Sequence, residues 1–431
     1  EQPHWMITVL ACMLGQIGLP GGGFGLGYSA ENGIGNPVQH FKWPSLEQFK
    51  NPVSEFIPVA RISDMLLHPG KVFSYNGKEI KYPDIKLVYW AGGNPFHHQM
   101  NLKKLSKAFK QPDTIIVNEI WWNSLARHSD IILPATTSLE RNDISIKHWD
   151  QTISPMYKAI EPVGEAKSDY EIFSEIASKL NFKDKFTEGK DEDKWLRFIW
   201  DEARSKAKDE GFTLPEFDKF WKNGFQEVLS PKKQTILLEK FRIDPEKNPI
   251  STPSGKIEIF SETVDSFNYE DCPGHPAWLE QEEWLGSNLT KQYPLQLISG
   301  QPHNRLHSQL DNGSESQNYK ILGREPIKIH PQDAQIRRLV DGDIVEVFNK
   351  RGKCLAGVII SNEVMKGIVF LPVGAWYDPI NDGEFCIHGN PNVLTEDIGT
   401  SSLAQGPSAH STLVEIKKYT KELPEINILH K

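Results

Sequence analysis

The sequence predicts a mixed α/β fold: a parallel-sheet, Rossmann-like domain with a helical extension, followed by a C-terminal β-barrel. Three patterns indicate this order. From residue 84, short apolar runs alternate with a helical segment. Residues 170–240 are rich in Lys, Glu, Phe and Trp placed at helical spacing. From residue 294, short predicted strands follow one another closely. A chain of 431 residues exceeds the usual limit of one hydrophobic core, so we expect two or three packed units.

The first predicted segment, 1–83, begins with a helix over residues 5–18. Apolar residues recur there at helical spacing, which predicts a buried helix that Gly18 and Pro20 end: Ile7, Leu10, Ala11, Leu14 and Ile17. The glycine-rich stretch that follows, 21–27, is equally consistent with a tight chain reversal and with a loop that faces a ligand. We expect the whole segment to complete a split α/β domain.

The second predicted segment, 84–170, carries the rhythm of β-α-β units. The apolar runs at 85–90, 114–117 and 131–133 are predicted strands, and 102–109 is a predicted helix. Polar or small residues follow each strand, at 92–95, 118–119 and 134–137. Ligands of open α/β sheets bind beyond the carboxyl ends of the strands, so these residues mark the predicted ligand edge.

The third predicted segment, 171–290, is the helical extension and linker, with one alternating strand expected at 256–260. The fourth segment, 291–431, is the predicted closed barrel. Its strands are expected at 295–299, 327–329, 344–349, 355–360 and 367–371, with a hairpin turn at 349–352.

Composition excludes several classes of function. The net charge is −9 and no block of basic residues stands out, so nucleic acid is a poor candidate partner. The four cysteines lie far apart, which argues against a zinc site or an iron–sulfur cluster. Glycines and a proline interrupt the longest apolar stretch, 5–26, so neither a membrane span nor a signal peptide is predicted. Because the chain starts with Glu1 and enters a core-like helix almost at once, we expect upstream sequence to be absent.

Four polar clusters are candidate sites: 94–99, 138–143, 299–309 and 389–410. In the first cluster, adjacent His97 and His98 without a third nearby ligand favour hydrogen bonding over metal ligation. The second is also consistent with a helix start that carries a surface ion pair. The third packs so many donors into one loop that ligand binding is favoured over a plain loop. The fourth has the same character, or forms two surface loops.

Seven ordered blocks resemble the S- and N-oxide reductases of the molybdopterin superfamily, the dimethyl sulfoxide, trimethylamine N-oxide and biotin sulfoxide reductase family. The blocks are 1–6, 13–25, 93–98, 126–143, 305–309, 374–379 and 392–395. This resemblance implies a double-psi-like, six-stranded barrel that binds molybdopterin dinucleotide, preceded by a dinucleotide-binding α/β part at 84–170. It also implies a bis(molybdopterin guanine dinucleotide) molybdenum cofactor, which removes oxygen from a small S-oxide or N-oxide.

The resemblance further implies which residues bind the cofactor. Asn94 and His98 would contact one pterin dinucleotide, Asn118 and Glu119 its ribose or guanine, Arg141 a phosphate or nucleotide, and Asp169 the guanine edge. The barrel would contribute the remaining contacts: Ser299, Gly300, Gln301, Pro302, Arg305, His307, Ser308, Gln309, Asn392, Ala409 and His410.

In this family a serine holds the molybdenum, in a region that precedes the part resembled here. We therefore name no catalytic residue and no metal ligand, and we expect that these 431 residues alone could not complete the metal site. A non-catalytic fragment that binds a cofactor or a partner is the alternative. A nitrate or formate enzyme is disfavoured, because 305–309 and 375–379 resemble the oxide reductases in particular.

We also expect an electron donor such as a c-type cytochrome and no insertion into a membrane. The expected location is the periplasm, with the cytoplasm as the alternative.

Overall fold

The structure, a computed structural model, describes residues 1–27, 34, 41–146, 150, 152–228 and 235–429. The chain divides into two compact units. Unit 1 comprises 1–54, 133–262 and 274–277, and unit 2 comprises 55–132, 263–273 and 278–431. No helix within the described ranges has the length and apolar character needed to cross a bilayer.

A parallel strand pair in unit 2 confirms the predicted β-α-β pattern. Leu87–Ala91 pairs in parallel with Thr114–Glu119, and the helix Leu102–Ala108 connects them. The buried helix residues Leu102, Leu105 and Ala108 lie at the predicted helical spacing and belong to one apolar core with Ile115 and Val117. A third strand, Ile131–Pro134, completes this sheet, and the boundary between the units passes through it.

The C-terminal part of unit 2 is the predicted closed six-stranded barrel. Parallel pairing between Pro326–Ile329 and Lys353–Ile360 closes the ring. The six strands, in order around the barrel, are Pro326–Ile329, Ile368–Phe370, Leu295–Ile298, Leu413–Lys418, Ile344–Phe348 and Lys353–Ile360. The turn at 349–352 is confirmed by a hydrogen bond from Asn349 N to Gly352 O of 3.1 Å.

One hydrophobic core joins the parallel pair to the barrel. It includes Val117, Leu297, Val347 and Val369, all almost fully buried. The other elements of unit 2 are short: the strands Val72–Tyr75, Lys78–Lys81, Pro379–Ile380 and Phe385–Cys386, and the helices Val59–Arg61, Ile62–Leu67, Pro95–His98, Ala126–His128, Asn288–Lys291, Ser314–Tyr319, Pro331–Ile336 and Pro391–Val393. Glu262–Asp265 is a short helix at the unit boundary.

Unit 1 combines helices with a three-stranded antiparallel sheet. Its strands are Asp143–Ile146, Thr152–Met156 and Gln226–Glu227, and its helices are Gln2–Met13, Asp169–Lys179, Lys183–Thr187, Glu192–Asp209, Phe217–Asn223 and Glu239–Ile243. The predicted helical extension is therefore confirmed over most of 170–240, and its part at 229–234 lies outside the described residues.

The longest helix of unit 1, Glu192–Asp209, is stabilised by a capping residue and by one buried aromatic side chain. Asp191 Oδ1 accepts a hydrogen bond from Lys194 N (2.9 Å) and so caps the first turn, where acidic residues favour the helix dipole. Trp200 on its buried face stacks on Phe220 with ring centroids 3.8 Å apart. The indole Nε1 donates to Pro215 O (2.9 Å), so this large side chain leaves no buried donor unpaired.

Two sequence predictions are wrong in detail. The first helix forms over Gln2–Met13 and so ends earlier than the predicted residue 18. Ala11 and Ile17 are buried as expected, whereas Ile7, Leu10 and Leu14 are 43%, 50% and 64% exposed. Periodicity indicates a helix and one apolar face, but it does not indicate what covers that face. No strand forms at 256–260, because alternation stabilises a strand only where a neighbouring strand supplies hydrogen bonds.

The glycine-rich stretch and the four predicted segments are the two remaining expectations about the fold. The stretch 21–27 forms turns, with positive φ at Gly21, Gly23 and Gly27, while its ligand-facing alternative stays a prediction. The four predicted segments are grouped differently in space: 84–132 belongs to the same unit as the barrel, whereas 133–170 belongs to the unit of the helical extension.

We predict that Trp200→Ala lowers the free energy of unfolding by about 3–5 kcal/mol, because a stacked and fully buried side chain is replaced by a cavity. Urea denaturation followed by circular dichroism measures this loss. Phe198→Ala, on the exposed face of the same helix, is the control and should cost less than about 1 kcal/mol. Equal losses in the two variants would contradict the assigned core.

Candidate functional site

The carboxyl edge of the parallel pair carries the first polar cluster. Asn94 begins the short helix Pro95–His98, and its Oδ1 accepts a hydrogen bond from Phe96 N (3.1 Å). Its Nδ2 donates to Ser308 Oγ (3.3 Å), 214 positions away. The fold of unit 2 therefore brings the clusters 94–99 and 299–309 together.

The fourth cluster joins the same edge through two asparagine side chains. Asn392 Nδ2 donates to His97 O (2.5 Å), and Asn390 Nδ2 donates to Phe96 O and Ala375 O (both 2.9 Å). Two of these three acceptors, the carbonyls of Phe96 and His97, belong to the short helix, which cannot satisfy them internally. Three of the four predicted clusters converge in one unit.

Histidines meet where these clusters join. His97 Nε2 lies 3.2 Å from His307 Nδ1, and Gln301 Nε2 lies 2.8 Å from the same His307 atom. Burial, assisted by the nearby His98, His307 and Arg305, lowers the pKa of His97 to about 4, so this imidazole is neutral at pH 7. Within the described chain, no three His, Cys, Asp or Glu side chains gather as metal ligands. His97 and His307 form a hydrogen-bonding pair.

The loop 299–312 leaves several buried polar atoms without hydrogen-bond partners among the described residues. Ser299 Oγ, both amide atoms of Asn304 and Asn312 Oδ1 are among them. Arg305 Nε, Arg305 Nη1 and Asp311 Oδ1 also lack hydrogen-bond partners, but they belong to a buried ion-paired group. The loop also lies against Gly374 so closely that a Cβ atom there would be 2.0 Å from His307 O. Buried polar groups are normally paired, so the hydroxyl of Ser299 and the amides of Asn304 and Asn312 suit a ligand with many polar groups.

Asn118 and Glu119, predicted to follow the second strand, are its last two residues and lie at the same edge, since Asn118 is the register partner of Ala91. Asn118 Oδ1 accepts a hydrogen bond from Tyr89 Oη (2.8 Å). Glu119 Oε1 accepts from Ile120 N (2.8 Å), and burial raises the pKa of this carboxyl group against the effect of its hydrogen bonds. Glu119 therefore shapes the turn that follows the strand.

Two further barrel candidates, Ala409 and His410, accept hydrogen bonds through their backbone carbonyls. Ala409 O accepts from Thr412 Oγ1 (3.0 Å), and His410 O accepts from Gln296 Nε2 (2.8 Å). This places both residues at the end of the barrel where the strand Leu295–Ile298 continues into Ser299. Arg305 is different: its side chain is 1% exposed, and Nη2 lies 3.0 Å from Glu325 Oε1. Its guanidinium faces the interior of unit 2.

Arg141 lies in unit 1, on an open cavity of about 320 Å³. The cavity mixes cations with carboxylates and hydroxyls: Thr136, Glu140, Arg141, Asn142, Lys158, Pro162, Ser168, Glu171, Asp191, Glu192, Asp193 and Leu196. Hydrogen bonds from Thr137 and Val163 lower the pKa of Glu140, so this side chain is a carboxylate. Through these hydrogen bonds it connects two segments of the cavity wall. Asp169 follows Ser168, the cap of the helix Asp169–Lys179. The structure thus places Arg141 and the start of that helix around one cavity.

Two family descriptions match the chain. "Molybdopterin oxidoreductase" matches residues 1–179, and "Molydopterin dinucleotide binding domain" matches residues 295–413. The chain thus carries two domains of the molybdopterin oxidoreductases.

The similar proteins are reductases. A trimethylamine-N-oxide reductase of Haemophilus influenzae is 47% identical over 99% of this chain and 54% of its own length. A biotin sulfoxide reductase of Cereibacter sphaeroides is 45% identical, covering 97% and 56%, and a dimethyl sulfoxide/trimethylamine N-oxide reductase of Rhodobacter capsulatus is 44% identical, covering 97% and 53%. The chain spans about half the length of these relatives.

A solved structure shares the fold. Acetylene hydratase from Pelobacter acetylenicus superposes with a TM-score of 0.60 at 19% identity, covering 78% of this chain and 45% of that protein. At this identity the likeness supports the fold alone.

The cofactor of this family is bis(molybdopterin guanine dinucleotide) molybdenum. The residues present fit part of such a group. Pterins and pyrophosphates offer many acceptors and donors, and the unpaired Ser299 and Asn304 atoms, with the exposed Gln301, His307 and Gln309, supply partners at the edge of unit 2.

Sequence reasoning missed the residues behind the loop: Asp311, Lys320, Glu325, Trp376 and His388. Trp376 Nε1 donates to Ser308 O (2.8 Å), and Trp376 N donates to Asp311 Oδ2 (2.8 Å). The block 374–379 belonged to the resemblance, yet no role followed from it. A buried pairing between segments about 70 positions apart leaves no local pattern in the sequence.

We predict that His97→Gln flattens the dependence of unfolding free energy on pH between pH 6.5 and 4. The unfolded chain protonates this histidine near the ordinary histidine pKa of 6.5, whereas the folded chain does so near 4, so stability is lost as the pH falls through this window. The slope should decrease by up to about 1.4 kcal/mol per pH unit.

Urea denaturation at half-unit pH steps measures this difference. His68→Gln, which changes an exposed histidine of the same unit, serves as the control and should keep the slope of the unsubstituted protein. Parallel stability curves for the His97→Gln and unsubstituted proteins would contradict the prediction.

Proposed function

We propose that this chain contributes to a molybdenum-dependent reductase of small S-oxides or N-oxides. The proposal rests on the convergence of 94–98, 299–309 and 389–395 in one unit of a chain that is 44–47% identical to three such reductases. Because about half of each relative's length is matched, the activity is proposed for the protein as a whole. In the overall reaction, the oxide takes up two electrons and two protons and yields the reduced substrate and water.

The converging edge of unit 2 would hold the pterin and pyrophosphate parts of a dinucleotide. Ser299, Asn304 and Gln301 would donate or accept hydrogen bonds, while Asn94 and Asn392 fix the backbone around them. The bound molybdenum centre supplies the oxygen-transfer and redox chemistry. The contribution of these residues is to bind and orient it.

The cavity of unit 1 would take a guanine nucleotide. Arg141 and Lys158 can face phosphate oxygens, whereas carboxylates such as Glu171 can accept hydrogen bonds from the guanine edge. Asp169, at the start of the adjoining helix, is the proposed acceptor from guanine.

We propose trimethylamine N-oxide, dimethyl sulfoxide and biotin or methionine sulfoxide as the candidate substrates. The relatives named above support the first two and biotin sulfoxide. An electron donor such as a c-type cytochrome, a periplasmic location, and a role in anaerobic respiration complete the proposal. They are supported by the family resemblance, which also leaves a cytoplasmic location open.

The direct experiment is metal and nucleotide measurement on the purified full-length protein. We expect about one molybdenum atom by mass spectrometry of the metal and about two molecules of GMP released by acid hydrolysis per chain. Reduced viologen should be oxidised when an S-oxide or N-oxide is added. A protein without molybdenum, GMP and turnover would overturn the proposal and favour a non-catalytic binding protein.

We predict that Arg141→Met lowers guanine-nucleotide retention roughly tenfold to a hundredfold, since one charge-assisted hydrogen bond contributes about 1.5–3 kcal/mol. GMP released from the dialysed full-length protein measures the retention. Arg204→Met is the matched control: its side chain is 30% exposed, against 34% for Arg141, and both arginines form ion pairs. Equal GMP content in the two variants would show that Arg141 does not bind nucleotide.

A further inference from the structure

Five ionisable side chains are packed together beneath the loop 299–312 in unit 2. Lys320 Nζ lies 2.7 Å from Glu325 Oε2 and 2.9 Å from Asp311 Oδ1. Arg305 lies 3.0 Å from Glu325 and 3.5 Å from Asp311, and His388 Nδ1 lies 3.6 Å from Asp311 Oδ2. All five side chains are at most 1% exposed.

The charges of this buried network balance. Burial opposes ionisation of Asp311, yet Lys320, His388 and Arg305 lower its pKa to about 2, so it is a carboxylate. Burial lowers the pKa of His388 to about 3, so this imidazole is neutral at physiological pH. Arg305 and Lys320 therefore face two carboxylates, and the network carries no net charge. Such networks add little stability over apolar residues of equal volume, but each charge depends on its partners.

The two network residues that belong to the loop, Arg305 and Asp311, each form a hydrogen bond with the segment 373–376. Arg305 Nη2 donates to Val373 O (3.0 Å), and Asp311 accepts from Trp376 N. Between them, Ser308 O accepts from the Trp376 indole, and the backbone of His307 lies close against Gly374. The stretch 305–311 is thus held along its length by the segment 373–376.

We propose that Asp311, Lys320 and Glu325 are positioning residues, which hold Arg305 inside the protein and thereby fix 306–309 in the shape that receives the cofactor. This inference rests on the proposed function and changes one part of the sequence prediction. Arg305 acts through the loop, and the contacts to the cofactor come from exposed His307 and Gln309 and from partly buried Ser308. The interior position of the guanidinium supports this assignment, because a side chain that is 1% exposed and faces two carboxylates at 3.0 and 3.5 Å is shielded from a pyrophosphate. Its Nε and Nη1 atoms make no hydrogen bond among the described residues, so the two carboxylates hold this end of the guanidinium through charge.

The test is Glu325→Gln in the full chain, with amide hydrogen exchange read by mass spectrometry. Losing one carboxylate leaves Arg305 and Lys320 undercompensated, so exchange within 305–311 should rise at least about tenfold while the barrel strands 344–360 change less than about twofold. Glu363→Gln, which breaks the exposed ion pair with Lys328, is the matched control and should leave both regions unchanged.

Should Glu325→Gln not fold, a charge-balanced variant keeps the test decisive. Lys320→Met combined with Glu325→Gln removes one charge of each sign, so the strands should regain protection while 305–311 still exchanges at least about tenfold faster. Normal exchange in the loop, or an equal rise in the loop and the strands, would overturn the inference.

A second readout links the network to the cofactor. In the full-length holoprotein, Glu325→Gln should lose GMP during dialysis at least about tenfold faster than Glu363→Gln. A loosened loop with undiminished GMP retention would overturn the positioning role. A protein with no GMP in any variant would instead refute the proposed function, and the hydrogen-exchange result would still stand on its own.

Discussion

The pairing of Pro326–Ile329 with Lys353–Ile360 is the constraint on which the site in unit 2 depends, because it closes the barrel. A closed ring has no free edge, so its strands cannot slide relative to one another without breaking hydrogen bonds all round. The strand Leu295–Ile298 therefore delivers the loop 299–312 to a fixed place. The loop can then carry strained and close-packed features, such as His307 at φ 53° and the contact with Gly374, without losing its shape.

Neutral polar groups line this edge of unit 2. The protein has a net charge of −9, and the buried cations Arg305 and Lys320 are paired with the carboxylates of Asp311 and Glu325. His97 is uncharged at pH 7, and Asn94, Asn304 and Asn392 are amides. A phosphate-bearing ligand would be held there by oriented dipoles, which resist screening by salt better than exposed charges do. The cavity around Arg141 follows a different principle, with cations and carboxylates side by side.

The sequence indicated the segments of the site better than it indicated their partners. Dense polar residues after predicted strands identified 94–99 and 299–309, because apolar runs of this length are readily recognised as strands. Leu413–Lys418 was missed although it pairs with two barrel strands, since its last two residues are exposed lysines and break the apolar pattern. Likewise, nothing near Arg305 indicated that Glu325 would bury it, because a loop rich in donors has the same sequence pattern whether those donors face a ligand or the interior.

The hydrogen bonds from Asn390 and Asn392 have a consequence for how this site is made. They satisfy the carbonyls of Phe96 and His97, which lie 294 and 295 positions earlier in the chain. During translation the short helix Pro95–His98 is synthesised long before its partners leave the ribosome, so those carbonyls remain hydrated in the meantime. The edge where these residues meet is therefore completed only after residue 392 has emerged, and the proposed cofactor could be held there no earlier than that.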